Sequence, residues 1–227
     1  MLKILGIPLS VHTRKAIVAA LFKGLEHEIV PVVPVDPANL PADWRGTSPT
    51  GRIPALVDGD FRVADSAAIC AYLERLRPTP SLYPQPDRAY ATALAFEQYA
   101  GHLFATVVHP LFHETVINPK MRGVPTDAAR VASVLDSALP EAFGHLDTSL
   151  TSDFLAGGMM SVADIAVTSN LVNFRYLGFD LDRGRYPRLR AHFDRMLTHA
   201  ALGEALRREE PFVDSMGLDR SWHVPHR

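Results

Sequence analysis

Four prolines lie between Arg77 and Pro86, more than regular secondary structure tolerates. Proline lacks a backbone donor and clashes with the preceding helical turn, so neither a regular helix nor a central strand can cross this stretch. Such a segment is typical of a semi-rigid linker. We therefore predict a first domain at residues 1–77, a linker at 78–86 and a second domain at 87–227.

The first domain begins with the pattern of a strand, a helix and a second strand. Lys3–Leu5 is a short apolar run, and Glu28–Val33 is a β-branched one. The residues between them have helical spacing and end at Gly24, a suitable helix cap. An irregular segment follows, which contains Pro34, Pro37 and Pro41.

A hairpin and a second helix follow the irregular segment. The apolar runs Ala55–Val57 and Phe61–Val63 flank Asp58-Gly59-Asp60, a strong turn signal. Asp65 is placed to cap a helix whose apolar positions recur every three or four residues. These positions are Ala68, Ile69, Tyr72, Leu73 and Leu76. The order βαβ-ββα predicts an α/β domain with a mixed four-stranded sheet.

The second domain has only helical patterns. One apolar stripe contains Leu135, Ala138, Leu139, Ala142, Phe143 and Leu146. Pro140 lies within it and predicts a kink. Ser161 and Asp164 have the spacing of a capping box, Gly178 can cap the end of that helix, and Tyr186-Pro187 begins another. We predict an all-α helical bundle.

Composition and charge exclude several classes of protein. The chain has 23 Lys and Arg against 25 Asp and Glu, without a basic stripe, so we expect no nucleic-acid partner. Pro8, Ser10 and His12 interrupt the apolar N-terminal segment, so it fits neither a secretory signal nor a membrane span. We expect no membrane partner and a cytoplasmic location. The single cysteine, Cys70, lies in an apolar stretch, where a buried thiol is expected.

Several motifs resemble those of the cytosolic glutathione transferase family. Ser48–Asp60 (SPTGRIPALVDGD), followed by Ala64–Ile69 and Tyr72-Leu73, is similar to the family pattern NPxGxVPxLxDGD…xESxAIxxYL. The turn at Gly6–Ser10 resembles the start of serine-type classes such as phi. Ser161–Asp164 resembles the capping box of the family's second domain.

This resemblance implies a thioredoxin-like N-terminal domain that binds glutathione and a helical C-terminal domain that carries the electrophile site. It also implies a homodimer, glutathione as co-substrate and no metal. The expected activity is glutathione conjugation of a small hydrophobic electrophile, as in detoxification.

The resemblance implies that Ser10, which ends the turn before the first helix, is the catalytic residue. Its hydroxyl can donate to a sulfur atom, or it can simply cap the helix, with Thr13 as a rival cap. His12 can line the site or supplement the serine, since histidine titrates near neutral pH.

The resemblance implies that glutathione binds to Ser10 and to five further positions. Pro54, with a cis peptide bond, frees the backbone of Ile53 to pair with the tripeptide. Asp65 and Ser66 stand at a helix start, which favours the γ-glutamyl carboxylate, while the acidic side chain addresses the ammonium. Arg52 is expected either to meet a glutathione carboxylate or to be a solvated surface residue.

Two departures from the family pattern concern the ends of glutathione. Asp65 replaces the commoner glutamate and is one methylene shorter. The residue that the family often uses for the glycyl carboxylate has no clear counterpart between Asp36 and Arg45.

A metal site is the less favoured alternative for His109, His113 and Glu114. Their spacing places two side chains on one helix face, but Pro110 interrupts the segment and a third ligand is not evident.

We expect the electrophile pocket between the two domains. Its candidate lining residues are Phe104, Val108 and Phe112, with His102 and Glu97 as further candidates, and each fits the core equally well. Three rival functions remain at this point. They are a glutathione-dependent reductase or lyase, which usually carries a cysteine near the first helix; a non-catalytic glutathione-binding or interaction protein; and a glutathione-dependent isomerase or dehalogenase.

Overall fold

A computed structural model describes residues 1–35 and 40–222 of the chain. The N-terminal elements are β1 (Leu2–Leu5), α1 (Val11–Phe22), β2 (His27–Val30), α2 (Trp44–Thr47), β3 (Ala55–Asp58), β4 (Phe61–Ala64) and α3 (Ser66–Leu76). The predicted order βαβ-ββα is confirmed, with the short helix α2 added inside the proline-containing segment. Pro37 lies outside the described residues.

The four strands form one mixed sheet in the order β2-β1-β3-β4. β1 is parallel to β2 and antiparallel to β3, with Ile4 opposite Leu56. Side chains alternate between the two faces of a strand. Ile4 and Leu56 therefore pack with α1 and α3 in the main core, whereas Leu5 and Ala55 pack with Trp44 on the other face.

The C-terminal region is helical, as predicted. Its elements are α4 (Asp87–Leu103), α5 (His109–Phe112), α6 (Ala128–Ser133), α7 (Leu139–Ser149), α8 (Val162–Tyr176), α9 (Pro187–Leu197) and α10 (Ala200–Ser215). Three π-helical segments join them, at Phe104–Val108, His113–Arg122 and Val134–Ala138. Within the described residues, none of the helices is both long and apolar enough to cross a bilayer.

α8 is the centre of the helical region, and its start depends on the capping box. The Asp164 carboxylate accepts hydrogen bonds from the N–H and the hydroxyl of Ser161, both at 2.8 Å. It also accepts from the N–H of Leu155 and pairs with the ring of His192 at 2.8 Å. Gly178, just after the helix, has φ 85°, which favours glycine. The predicted box and cap are confirmed.

Two details of the predicted helices differ in the structure. In α3 the buried positions are Ser66, Ile69, Cys70 and Leu73, while Ala68 is exposed and Leu76 is 44% exposed. The stripe is therefore rotated towards Cys70, because α3 packs against α1 as well as against the sheet. At Pro140 the chain passes from a π-helical segment into α7.

Helix α1 joins the two regions, because it packs on α3 on one side and on α8 and α10 on the other. Nine of its residues are buried, including two cations. Lys15 pairs with Glu97 of α4 at 2.9 Å, and Arg14 pairs with Glu209 of α10. The N-terminal end of α1 is thereby fixed against the helical region.

Candidate functional site

The first part of the site is the turn that carries Ser10. The N–H of Ser10 donates to the carbonyl of Ile7 at 3.0 Å, and Ser10 is the N-cap of α1. Its Oγ accepts a hydrogen bond from the N–H of Thr13 at 3.5 Å. A hydroxyl that accepts through oxygen keeps its proton for another acceptor. Ser10 can therefore cap the helix and donate to a ligand at the same time.

Thr13, the alternative helix cap suggested by the sequence, does not cap α1. It lies inside the first turn of α1 and is fully buried. Its hydroxyl has no hydrogen-bond partner among the residues that the structure describes. The side chain lies under Gly6, where an added Cβ would come within 2.5 Å of the Thr13 Oγ1.

The second part is the segment before β3. The Ile53-Pro54 peptide bond is cis, as the resemblance implies. The N–H and C=O of Ile53 make no hydrogen bond within residues 1–35 and 40–222. Ile53 is partly exposed, so this donor and acceptor are open to an extended peptide lying alongside, as in strand addition.

The third part is the start of α3. Asp65 has φ 81°, a conformation that costs a non-glycine residue about 1–3 kcal/mol and is concentrated at functional sites. Its Oδ1 caps the helix by accepting from the N–H of Ala67 at 2.8 Å. Ser66 is the first helical residue and is buried. Free N–H groups and the helix dipole make this position favourable for a carboxylate.

A cavity of about 110 Å³ adjoins these residues between the two regions. Of the residues expected from the sequence, it brings together His12, Asp65, Ser66 and Glu97. Ser10, Arg52 and Ile53 are not among its lining residues. Lys15 and Asn170 also line the cavity and were not predicted from the sequence.

His12 lies at the boundary between the two regions. Its ring meets the ring of Phe104 edge-on, with centroids 4.7 Å apart. Burial, and then the charge of Lys15, lower the pKa of His12 from 6.5 to about 4. The imidazole is therefore neutral at pH 7, which corrects the expectation that it titrates near neutrality. It can exchange hydrogen bonds with a ligand but offers no positive charge to a thiolate.

Arg52 lies close enough to His12 and His109 for its charge to act on both rings. It is exposed, and its guanidinium has no partner among the described side chains. Its charge contributes to lowering the pKa of His12 and of His109 in the helical region, although burial is the larger cause for both. Arg52 is therefore accessible to an anion from solvent. Asp36 lies outside the described residues, and Arg45 donates to the carbonyl of Pro49.

Phe104 is the best placed of the expected pocket residues. It is half-buried between the rings of His12 and His109, at 4.7 and 5.3 Å. Phe112 is half-buried, whereas Val108 is fully buried in the core and presents no surface to a ligand. His102 is exposed and packs on Tyr99 instead. Glu97 is buried in its pair with Lys15.

The residues of the metal alternative contact one another and their neighbours, and the Nδ1 of His113 lies 3.4 Å from Oε1 of Glu114. The rings of His109 and His113 are 6.1 Å apart. Glu114 accepts from the side chain of Asn118 and the N–H of Asp127, and its carboxylate lies 3.6 Å from Arg130. In the part of the chain that the structure describes, no group of three or more His, Cys, Asp or Glu residues is arranged to hold a metal ion.

Two family models match the chain over most of these elements. The model described as the glutathione S-transferase N-terminal domain matches residues 9–76, and the C-terminal domain model matches residues 126–195. Glutathione S-transferase 3 of Zea mays is 33% identical over 167 residues, which cover 72% of this chain and 73% of that protein. Glutathione S-transferase theta-1 of Bos taurus is 32% identical, covering 71% and 67%.

Solved structures agree with the sequence comparisons. Human glutathione-S-transferase T1-1 in its apo form superimposes with a TM-score of 0.82 at 26% identity, covering 95% of this chain and 90% of that one. A thioredoxin-like sheet followed by a helical domain is the fold of these proteins. The chain belongs to the glutathione S-transferase family of enzymes.

Proposed function

We propose that this enzyme activates glutathione as a thiolate and conjugates it to a hydrophobic electrophile, with Ser10 as the catalytic residue. The observation that carries the proposal is the Ser10 hydroxyl at the N-terminus of α1, which accepts a hydrogen bond from Thr13 and donates to none of the described residues. A thiolate placed there accepts a hydrogen bond and meets the positive end of the helix dipole. No covalent intermediate with the protein is required.

The expected lowering of the thiol pKa follows from the typical free energies of a hydrogen bond and of a helix terminus. A hydrogen bond to a charged acceptor contributes ~1.5–3 kcal/mol and a helix terminus ~0.3–1 kcal/mol. Since one pKa unit corresponds to ~1.4 kcal/mol, the two together lower a thiol pKa from ~8.5 to roughly 5.6–7.2. Most of the bound glutathione is then nucleophilic at neutral or slightly alkaline pH.

The tripeptide is proposed to lie along the edge formed by Ile53 and the start of α3. Ile53 supplies a backbone donor and acceptor, next to Pro54. Asp65 and Ser66 receive the γ-glutamyl end, and Arg52 receives a carboxylate at the other side of the cleft. This arrangement supports binding of glutathione in an extended form.

The electrophile is proposed to bind against Phe104, with Phe112 and the neutral ring of His12 beside it. Aromatic side chains favour planar or apolar groups, so we propose a hydrophobic electrophile. Residues 1–77 then form the glutathione domain and 87–227 the electrophile domain, joined by 78–86. We also propose a homodimer that works in the cytoplasm, where thiols are kept reduced.

Replacement of the catalytic hydroxyl tests the proposal. Ser10→Ala is expected to lower kcat/KM with glutathione and a chlorodinitrobenzene at least tenfold, while glutathione affinity by calorimetry stays within a few-fold. Ser137→Ala, at an exposed serine of the helical region, is the control and should behave as wild type. Wild-type activity in Ser10→Ala would refute the role of the serine. Absence of glutathione binding by the wild-type protein would refute the proposed function itself.

A further inference from the structure

A row of rings on the helical side runs from the cavity towards solvent. His12 lines the cavity and contacts Phe104, whose ring centroid lies 5.3 Å from that of His109. The ring centroids of His109 and His113 are 6.1 Å apart. Arg122, which is exposed, ends the row, because its Nη1 donates to Nε2 of His113 at 3.3 Å. The row therefore changes from apolar at Phe104 to cationic at Arg122.

A π-helical turn brings Phe104 and His109 together. In the segment Phe104–Val108 the N–H of His109 donates to the carbonyl of Phe104, as the wider π-helical turn requires. An α-helix would instead place Val108 beside Phe104, because residues four apart are neighbours on its surface. π-Helical turns of this kind are frequently found at functional sites.

We infer that the electrophile is an anionic aromatic compound, whose ring lies against Phe104 and whose anionic group binds to His109 and Arg122. The inference rests on the proposed function and on the proposed place of the electrophile. It names a substrate class that Phe104 does not specify, because contact with a neutral ring does not select for charge.

His109 has a hydrogen-bond donor to offer to a ligand. It is exposed, and neither of its ring nitrogens makes a hydrogen bond with any of the described residues. Partial burial, and then the charges of His113, Arg130 and Arg52, lower the pKa of His109. One nitrogen of a neutral imidazole still carries a proton. His109 can therefore donate to an anionic group beside Phe104, in surroundings that are already positive.

Arg122 supplies the charge. Its guanidinium pairs with no carboxylate among the described residues. Since an arginine N–H can only donate, Nε2 of His113 is the acceptor and the proton of that ring lies on Nδ1, which is 3.4 Å from Oε1 of Glu114. His113 therefore positions Arg122 without neutralising its charge. The remaining N–H groups of Arg122 are available to a planar anion such as a carboxylate.

The acidic side chains of the same segment already have partners. Residues 109–130 contain two of them, Glu114 and Asp127. Glu114 is 3% exposed and accepts from the side chain of Asn118 and the N–H of Asp127, and the side chain of Asp127 caps α6. The cations of the segment, all exposed, are Lys120, Arg122 and Arg130. The exposed charge beside His109 is therefore mainly positive, which favours an anion.

A chlorodinitrobenzoate and its amide test the inference, because the amide has nearly the same shape and no charge. Both compounds react with glutathione in the same way. The thiolate forms a C–S bond to the ring carbon that carries chlorine, the C–Cl bond breaks and chloride leaves with the electron pair, while the thiol proton passes to solvent. For the wild-type protein, KM is expected to be about fivefold lower for the benzoate, as one partly exposed charge pair and one hydrogen bond would give.

Two variants assign this preference to the named residues. Arg122→Gln keeps a polar side chain without the charge, so KM for the benzoate should rise about fivefold, to the value for the amide, while KM for the amide stays the same. His109→Phe keeps the ring and removes the donor, so it should reduce the preference about twofold. Added sodium chloride should raise KM of wild type for the benzoate and not for the amide, since salt screens exposed charges.

Arg188→Gln is the matched control. Arg188 is exposed on α9, and its guanidinium also pairs with no carboxylate among the described residues. α9 packs on α7, α8 and α10, away from the row of rings. This variant removes the same charge and should keep the wild-type preference.

The possible failures separate the inference from the proposed function. Equal KM values of wild type for the benzoate and the amide, or the same preference in Arg122→Gln as in Arg188→Gln, would overturn the inference and leave the proposed function intact. Conjugation of chlorodinitrobenzene but of neither test compound would do the same. If wild type conjugates none of the three compounds, the proposed function fails, and the inference fails with it.

Discussion

Arg14 and Glu209 form a fully buried ion pair between residues 195 positions apart in the chain. The Nε of Arg14 lies 2.9 and 3.1 Å from the two carboxylate oxygens. Its other nitrogens donate to the carbonyls of Ser169 and Leu9 and to the side chain of Asn173. Leu9 directly precedes Ser10. The pair therefore ties the turn of the proposed catalytic residue to the helical region.

Removal of Glu209 should be strongly destabilising. Glu209→Ala leaves the Arg14 charge buried without its partner, and breaking a buried pair in this way costs about 3–5 kcal/mol. Urea unfolding measures the loss. Glu28→Ala is the control, because Glu28 pairs with Lys3 at 3.6 Å with both side chains nearly half exposed. Exposed pairs contribute about 0–1 kcal/mol. Equal losses in the two variants would contradict the structural role of the Arg14 pair.

His12 should make stability depend on pH in a defined window. Its folded pKa, about 4, lies below the ordinary 6.5, so the unfolded chain binds more protons between these values. The free energy of unfolding therefore falls as pH falls from 6.5 to 4, by about 3 kcal/mol from this residue. His12→Gln should lack that part of the pH dependence. Identical curves of unfolding free energy against pH for the two proteins would show that His12 is not protected from protonation.

Cys70 should be unreactive in the folded protein. It is fully buried, and burial raises the pKa of its thiol to about 12. An aromatic disulfide reagent at pH 8 is expected to label the denatured chain completely and the native chain only on the timescale of unfolding. Rapid labelling of the native protein would contradict this burial. It would also favour the rival reductase, whose chemistry needs an accessible cysteine.

Phe104 should affect the electrophile more than glutathione. Phe104→Ala removes the ring between His12 and His109, so KM for an aromatic electrophile should rise several-fold with glutathione affinity unchanged. Phe96→Ala is the control on α4, since Phe96 packs with Tyr99 and His145 instead. If both variants, or neither, raise KM, Phe104 does not line the electrophile site.

The fold could be predicted from local signals in the sequence. The turn at Asp58-Gly59-Asp60 joins β3 and β4, and Gly59 has φ 62°, which few other residues adopt easily. Ser161 and Asp164 cap α8 as their spacing indicates. Each of these features depends on a few neighbouring residues, so the local sequence is sufficient to predict it.

Other features of the fold are not specified by such local signals. The three π-helical segments and the short helix α2 have no pattern of their own in the sequence. Helical spacing made Phe104 and Val108 equal candidates for the pocket. The structure separates them, because the side that a helix turns to its neighbours depends on packing over the whole domain.

The interior of the candidate site was the least predictable part. Lys15, Glu97 and Asn170 come from three different helices and meet only in the folded protein. A lysine or a glutamate in a helical pattern is ordinarily exposed, and its burial becomes favourable only when its partner is in place. The spacing of residues in the sequence does not indicate that Lys15 and Glu97 form a pair.

The most direct test of the account is a pH titration of the ultraviolet thiolate absorbance of glutathione bound to the purified protein. The wild-type protein is expected to hold the thiol pKa at roughly 5.6–7.2, below the ~8.5 of a free thiol, and Ser10→Ala should raise the thiol pKa most of the way back to the free value. Bound glutathione with an unshifted thiol pKa, or the same lowered value in Ser10→Ala, would contradict activation by Ser10.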